Sequence, residues 1–329
     1  MCPITICRQN KPHDIVPVEA RFALVLFVML VALSVIQATN LNQQTIKAWD
    51  TYIQETNSRL EKRLANSAFL WIDEVPERRA RVLRGEIVVE PASKNIPEKV
   101  PQGLIHDWLG AAFIPGATID GVFAFLNNYG RYAEFYKPAV IGATLLEDSG
   151  ETKKFSLLLA QKVPFVTAAI SSEYISKTVR LDEQRWYTVT YSTQMQQINN
   201  YGEPGERKLP PDTGTGFIWR LYSIQRFEAR DGGVYTELKA IALTRNVPFE
   251  LQMLVRPILQ HLPRTSMIAT LQKTREAVCA SASSRAPEIA KLETSNNNSS
   301  GPHGTLTRNR RDVQTRKVAA AGLGIRTQH

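Results

Sequence analysis

Between residues 46 and 64, apolar positions recur at helical spacing at Ile46, Trp49, Ile53, Leu60 and Leu64, with Lys47, Asp50, Glu55, Arg59 and Lys62 among the positions between them. That spacing predicts one amphipathic helix with a stripe to bury. Its expected role is packing on the domain, with a partner or membrane surface as the alternative. Residues 69–72 and 82–90 read as two short strands bracketed by Asp73-Glu74, Pro76 and Pro91. Residues 91–101, with Pro91, Pro97 and Pro101, read as a linker or an extended edge.

A longer strand is expected over 104–114, ending at Pro115-Gly116. Thr118 then caps a helix whose Ile119, Val122, Phe123 and Leu126 share one side. The aromatic stretch 129–136 continues it and stops at Pro138. Six strand candidates follow at 140–146, 155–160, 165–176, 186–197, 217–228 and 234–244, rich in β-branched and aromatic residues. The last two form the clearest hairpin, around Asp231-Gly232-Gly233, and residues 199–216 read as a loop. Helical spacing returns after Pro248 through Leu251, Leu254 and Ile258, then through Met267, Leu271 and Val278. Pro257 and Pro263 predict a kinked or two-part helix. From Cys279 onward the Ser, Asn, Gly and basic content cannot build a core, so a disordered tail is expected.

The chain has 329 residues, 43% of them apolar, which excludes a wholly disordered protein. Its net charge of +9 is concentrated outside the body. Residues 279–329 carry +5 and residues 1–21 carry +1, which leaves +3 between them. Nucleic acid is therefore not an expected partner of the body. Cys2, Cys7 and Cys279 all lie near the chain ends, so neither a disulfide framework nor a thiolate zinc site is expected. His106 and His261 are the body's histidines, far apart in sequence, and no metal site or cofactor is expected.

Residues 22–36 are fifteen positions without a charge, preceded by Arg21 and followed by Ala38, Thr39 and Asn40. This is the length of a secretory h-region and is shorter than the ~20 residues that span a bilayer. Asp14 and Glu19 weaken the leader's positive character, so residues 1–38 read as a signal peptide or as a retained N-terminal anchor. Either places the body outside the cytoplasm, periplasmic or secreted, or at the membrane face.

The order of elements, with Ile105-His106-Asp107-Trp108, Phe113-Ile114-Pro115-Gly116-Ala117, Tyr129-Gly130-Arg131-Tyr132 and Tyr136-Lys137-Pro138, resembles the START-like superfamily, also called SRPBCC. Gly216-Phe217-Ile218-Trp219-Arg220-Leu221, Arg226-Phe227-Glu228, Asp231-Gly232-Gly233-Val234-Tyr235 and Ala242-Leu243-Thr244-Arg245-Asn246-Val247-Pro248 carry the resemblance further. It is most similar to an exported bacterial branch and covers residues 103–278. The resemblance implies an α+β helix-grip fold, a curved antiparallel sheet wrapped around a long C-terminal helix. Residues 39–102 would form a helical and short-strand extension ahead of it. It also implies a cavity between sheet and helix for an apolar small molecule such as a lipid, isoprenoid or polyketide.

Strand alternation places Ile218, Arg220, Tyr222, Ile224 and Arg226 on one face, and Tyr235, Glu237, Lys239, Ile241 and Leu243 together on the next strand. If the hairpin register brings Arg226 or Arg220 to Glu237, the pair would orient a ligand carboxylate or carbonyl. The alternative is a solvated cross-strand ion pair, because one bulge exchanges the faces. Arg220, Tyr222, Arg226 and Glu237 are thus ligand-binding candidates, together with Tyr136 at the cavity mouth and Trp108 on the first long strand. His106 and Asp107 point to opposite faces and do not form a catalytic pair. Binding or carriage of an apolar molecule leads. A cyclase or aromatase-like enzyme using Arg220, Tyr222 and Glu237, and a structural envelope protein without ligand, are the alternatives.

Overall fold

A computed structural model describes residues 41–65, 68–163, 166–214, 218–246 and 263–281. The chain opens with helix α1, Gln43–Leu64. The side chain of Asn42 accepts a hydrogen bond from the Gln44 amide, and Lys62 and Arg63 occupy the last turn, where cations favour the helix dipole. Of the predicted stripe Trp49 and Leu60 are buried and Ile46, Ile53 and Leu64 half-buried, while Thr45 and Thr56, outside it, are buried as well. Residues 69–72 are not a strand. They enter a 3-10 turn at Trp71–Glu74, and Pro76 then starts helix α2, Pro76–Leu83. Proline is at home at that first helical position, where no intrahelical donor is needed. The strand expected over 82–90 is likewise divided, its first residues ending α2 before Gly85 at φ +94° and its last opening β1, Val88–Pro91.

The remaining strands are β2 Glu98–Val100, β3 Gly103–Pro115, β4 Val140–Ser149, β5 Thr152–Val163, β6 Val166–Arg180, β7 Arg185–Asn199, β8 Arg207–Lys208, β9 Ile218–Arg230 and β10 Gly233–Arg245. They form one antiparallel sheet in the order β1-β3-β10-β9-β7-β6-β5-β4, with β2 on β3 and β8 on β7. The extension ahead of Gly103 therefore contributes two strands to the same sheet. The β9–β10 hairpin turns on Asp231 and Gly232, both at positive φ, the geometry whose twist matches its strands.

Two short helices, α3 Ile119–Leu126 and α4 Tyr132–Phe135, separate β3 from β4. Thr118 caps α3 by accepting from the Gly121 amide at 3.1 Å. Where a helix was expected to continue through 129–136, a 3-10 turn at Tyr129–Arg131 interrupts it. The final helix, α5, is described over residues 263–281, so the part of the kinked helix predicted before it lies outside the described residues. The apolar run 22–36 and the tail beyond residue 281 also lie outside them. Among the described residues no helix is long and apolar enough to cross a membrane.

Alternation along the strands gives the sheet two buried faces. On the inner face, Met267 and Leu271 of α5 pack with Val89 and Ala112, with Trp108, Leu238 and Ala240 beside them. Farther along, Ala277 and Val278 join Ile114, Phe227, Val234 and the α3 residues Val122 and Phe123. On the outer face, Trp49 and Leu60 of α1 cover Ile105, Tyr187, Tyr222, Ile224, Ile241 and Leu243. Beside them, Phe69, Leu70, Trp71 and Ile72 cover Ala111, Phe113 and Tyr235. The architecture is α+β with a C-terminal helix on a large antiparallel sheet, as the element order implied. The N-terminal helix lies on the sheet's opposite side.

Candidate functional site

The six ligand-binding candidates divide between the two faces. Tyr136 and Trp108 belong to the inner one. The Tyr136 hydroxyl lies 2.8 Å from Thr274 Oγ1 of α5, and burial pushes its phenol up to about 12. Trp108 packs beside Met267 and Leu271, and its indole N–H is buried with no acceptor among the described residues. The same face of the neighbouring strands carries an aromatic cluster, Tyr129, Phe155 and Tyr174, joined by Leu157 and Leu221. Register pairs Leu157 with Ser172, and Leu159 with Ile170, on this side of β5 and β6; Leu157, Leu159 and Ile170 are only half-buried.

Arg226 and Glu237 are directly opposite in the β9–β10 register, and their side chains form a buried ion pair. Arg226 Nη2 donates to Glu237 Oε1, while the Trp71 amide donates to Oε2 at 2.5 Å. The two side chains are 6% and 1% exposed, which excludes the solvated alternative. The pair lies on the outer face, however, beneath the N-terminal extension and across the sheet from α5. It does not meet Trp108 or Tyr136. Tyr222 is on that outer face as well, donating to Asn57 of α1. Arg220 instead pairs with Asp212 through both terminal guanidinium nitrogens, Nη1 donating to Oδ1 and Nη2 to Oδ2 at 2.9 Å.

Beside Arg226 stands a second polar group that sequence reasoning did not assemble. Lys239 Nζ donates to both oxygens of Asp107, at 2.7 and 2.5 Å, and the Tyr52 hydroxyl donates to the same carboxylate at 2.8 Å. Burial depresses the Lys239 ammonium below its ordinary value, opposed by the charge of Asp107. Burial, and then the Asp107 charge, raises the Tyr52 phenol. The signal was present in the alternation that set Glu237 and Lys239 on one face; what it lacked was Tyr52, 55 residues from Asp107. His106 points away from Asp107 as expected, its Nε2 lying 3.0 Å from Thr244 Oγ1.

A cleft of about 730 Å³ opens over these outer-face groups. Its floor is Asp107, Leu109, Ile224, Arg226 and Lys239, and one flank of α1 forms a wall from Gln44 to Arg63. The volume is within the range of small-molecule sites, about 300–1,000 Å³. Among the described residues no group of three His, Cys, Asp or Glu side chains is placed to hold a metal ion.

No family model matches the chain, and no curated protein matches it. Solved structures do. A STAR-related lipid transfer protein from Xanthomonas axonopodis is similar at 13% identity and a TM-score of 0.37, over 58% of this chain and 98% of its own. Human STARD10 is similar at 8% identity and a TM-score of 0.39, over 64% and 74%. The Zhui aromatase/cyclase from Streptomyces sp. R1128 is similar at 14% identity and a TM-score of 0.36, over 53% and 93%. At such identities no residue role passes from these proteins to this chain.

Proposed function

We propose that this protein binds and carries an apolar small molecule, of the lipid, isoprenoid or polyketide kind, on the inner face of its sheet. The observation that carries this reading is where α5 makes its contacts. Among the described residues, its apolar clusters draw on β1, β3, β7, β9, β10 and α3, and on none of β5 or β6. Leu157, Leu159 and Ile170 of those two strands face the same side and remain half-buried. A guest covering them gains about 25 cal/mol for each Å² of apolar surface withdrawn from water. Trp108 and Tyr136 are on this face too but are taken up by α5, the indole N–H buried beside Met267 and Leu271 and the phenol hydroxyl beside Thr274 Oγ1, so the guest's own contacts are the half-buried side chains of β5 and β6.

The site of action is outside the cytoplasm, with the membrane surface as the place of loading. The charge-free run 22–36 supports this part of the reading. The cyclase alternative would use Arg220, Tyr222 and Glu237, but Glu237 and Tyr222 are engaged on the outer face and Arg220 is held by Asp212. No observation favours it as a second reading.

Native mass spectrometry of the full chain, followed by solvent extraction, tests the proposal. A co-purifying apolar molecule released by solvent is the expected result. Repeated preparations that arrive empty and take up no apolar fluorescent probe would refute carriage.

A further inference from the structure

On the inner face, between the aromatic cluster of Tyr129, Phe155 and Tyr174 and the paired Trp186 and Phe227, the apolar lining gives way to uncharged polar side chains. Register sets Ser176, Thr190 and Ser223 side by side across β6, β7 and β9, and in the next row Thr178, Thr188 and Gln225. Their direction follows from the residues between them. Val179, Tyr187, Val189, Tyr222 and Ile224 pack with α1 on the outer face, so these six turn inward. The rows lie about 7 Å apart along the strands, and each is about 10 Å wide.

The side chains of the two rows touch one another. Ser176 Oγ lies 2.9 Å from Thr190 Oγ1, Thr178 Oγ1 lies 3.1 Å from Thr188 Oγ1, and Gln225 Nε2 donates to Thr236 Oγ1 of β10 at 3.4 Å. A hydroxyl offers one donor and two acceptor sites, so each hydroxyl pair uses one of each and keeps a donor and three acceptor sites for a further partner. Ser223 has no side-chain partner among the described residues. Ser176 is buried and the other five are half-buried, which leaves them open to a guest. The charges that flank the rows are engaged elsewhere. Lys153 of β5, opposite Ser176, pairs with Asp148 at 2.6 Å, and Arg180, beyond Thr178, lies over the Trp186 ring.

We infer that these two rows make the inner face selective for a neutral guest carrying hydroxyl or carbonyl oxygens along an apolar skeleton, and select against a bare hydrocarbon or an anion. The inference rests on the carriage reading above and specifies its ligand. A hydrocarbon laid over the rows withdraws polar side chains from water and returns no partner, a cost that grows with each group left unmatched. Hydroxyl and carbonyl oxygens replace the lost water, while the skeleton around them covers the half-buried Leu157, Leu159 and Ile170 on the neighbouring strands. An anion loses its hydration and meets neutral hydroxyls in place of a cation.

The test is displacement of Nile red from the full chain by three probes of one three-ring shape: anthracene, dihydroxyanthraquinone and anthracene carboxylate. Dihydroxyanthraquinone should displace the dye at a concentration about tenfold lower than either of the others. Replacing both members of one hydroxyl pair, Ser176→Ala with Thr190→Val, removes the hydrogen bond without stranding a partner, so the fold is kept. That double variant should lose about tenfold in affinity for dihydroxyanthraquinone, one hydrogen-bonding group's worth, and bind anthracene as before. Ser223→Ala should act in the same direction. If anthracene or the carboxylate competes as well as dihydroxyanthraquinone, or if the double variant weakens all three probes equally, the selectivity is overturned while carriage stands. If the chain takes up no Nile red at all, carriage fails and the selectivity with it.

Discussion

Gly110 of β3 lies directly under Met267 of α5, so close that a Cβ at position 110 would stand 2.5 Å from the methionine sulfur and 2.9 Å from Leu271 Cδ1. The glycine is there for the approach of another element. Gly110→Val should therefore lift α5 and cost about 1–3 kcal/mol, the usual range for overpacking. Thermal denaturation checks it, and Met267→Ala in the same chain should return part of the loss.

Arg226→Ala leaves Glu237 buried, with the Trp71 amide as its remaining partner. A loss of about 3–5 kcal/mol is expected, as when one member of a buried pair is removed. Because the pair is on the outer face, uptake of an apolar probe by the folded fraction should not change. Denaturation followed by probe titration separates the two effects.

Leu157→Arg and Ile170→Arg each place a charge on the inner face of β5 and β6, at sites that are only half-buried. Stability should fall by less than about 1 kcal/mol, while affinity for an apolar probe should fall about tenfold, since 1.4 kcal/mol of binding free energy is one decade. Fluorescence titration at a temperature well below unfolding gives the comparison.

His106 is buried, and that burial holds its imidazole below the ordinary value. A base depressed in the folded state takes up its proton first in the unfolded chain. Its contribution to stability is thus complete above about pH 6.5 and is lost as pH falls through the folded value. His106→Asn should flatten this part of the stability profile between pH 7 and pH 5. Urea denaturation at several pH values measures the slope.

Most strands were legible because β9 and β10 are rich in β-branched and aromatic residues and are punctuated by Asp231-Gly232, a turn whose backbone geometry few other residues accept. Phe69 and Ile72 were misread because four consecutive apolar residues followed by two acids carry no period, and a buried 3-10 turn satisfies the same pattern as a short strand. The Arg226–Glu237 pair was readable as one option of the hairpin register, beside an Arg220 pairing and a solvated alternative. Which side of the sheet it faced was not, since period-two alternation separates two faces without saying which element covers each. That answer depended on α1, whose stripe was visible but whose destination was fixed by contacts such as Tyr222 with Asn57, 165 residues apart.

The order in which these pieces are made has its own outcome. Helix α1 leaves the ribosome first among the described elements, and its stripe of Trp49 and Leu60 docks in part on β9 and β10, the last strands to be synthesised. Until residue 245 has emerged, the nascent chain must hold that greasy surface bare. Such non-local closure slows folding and invites aggregation on the way, so a chaperone that shields the young helix would be most useful before the final hairpin arrives.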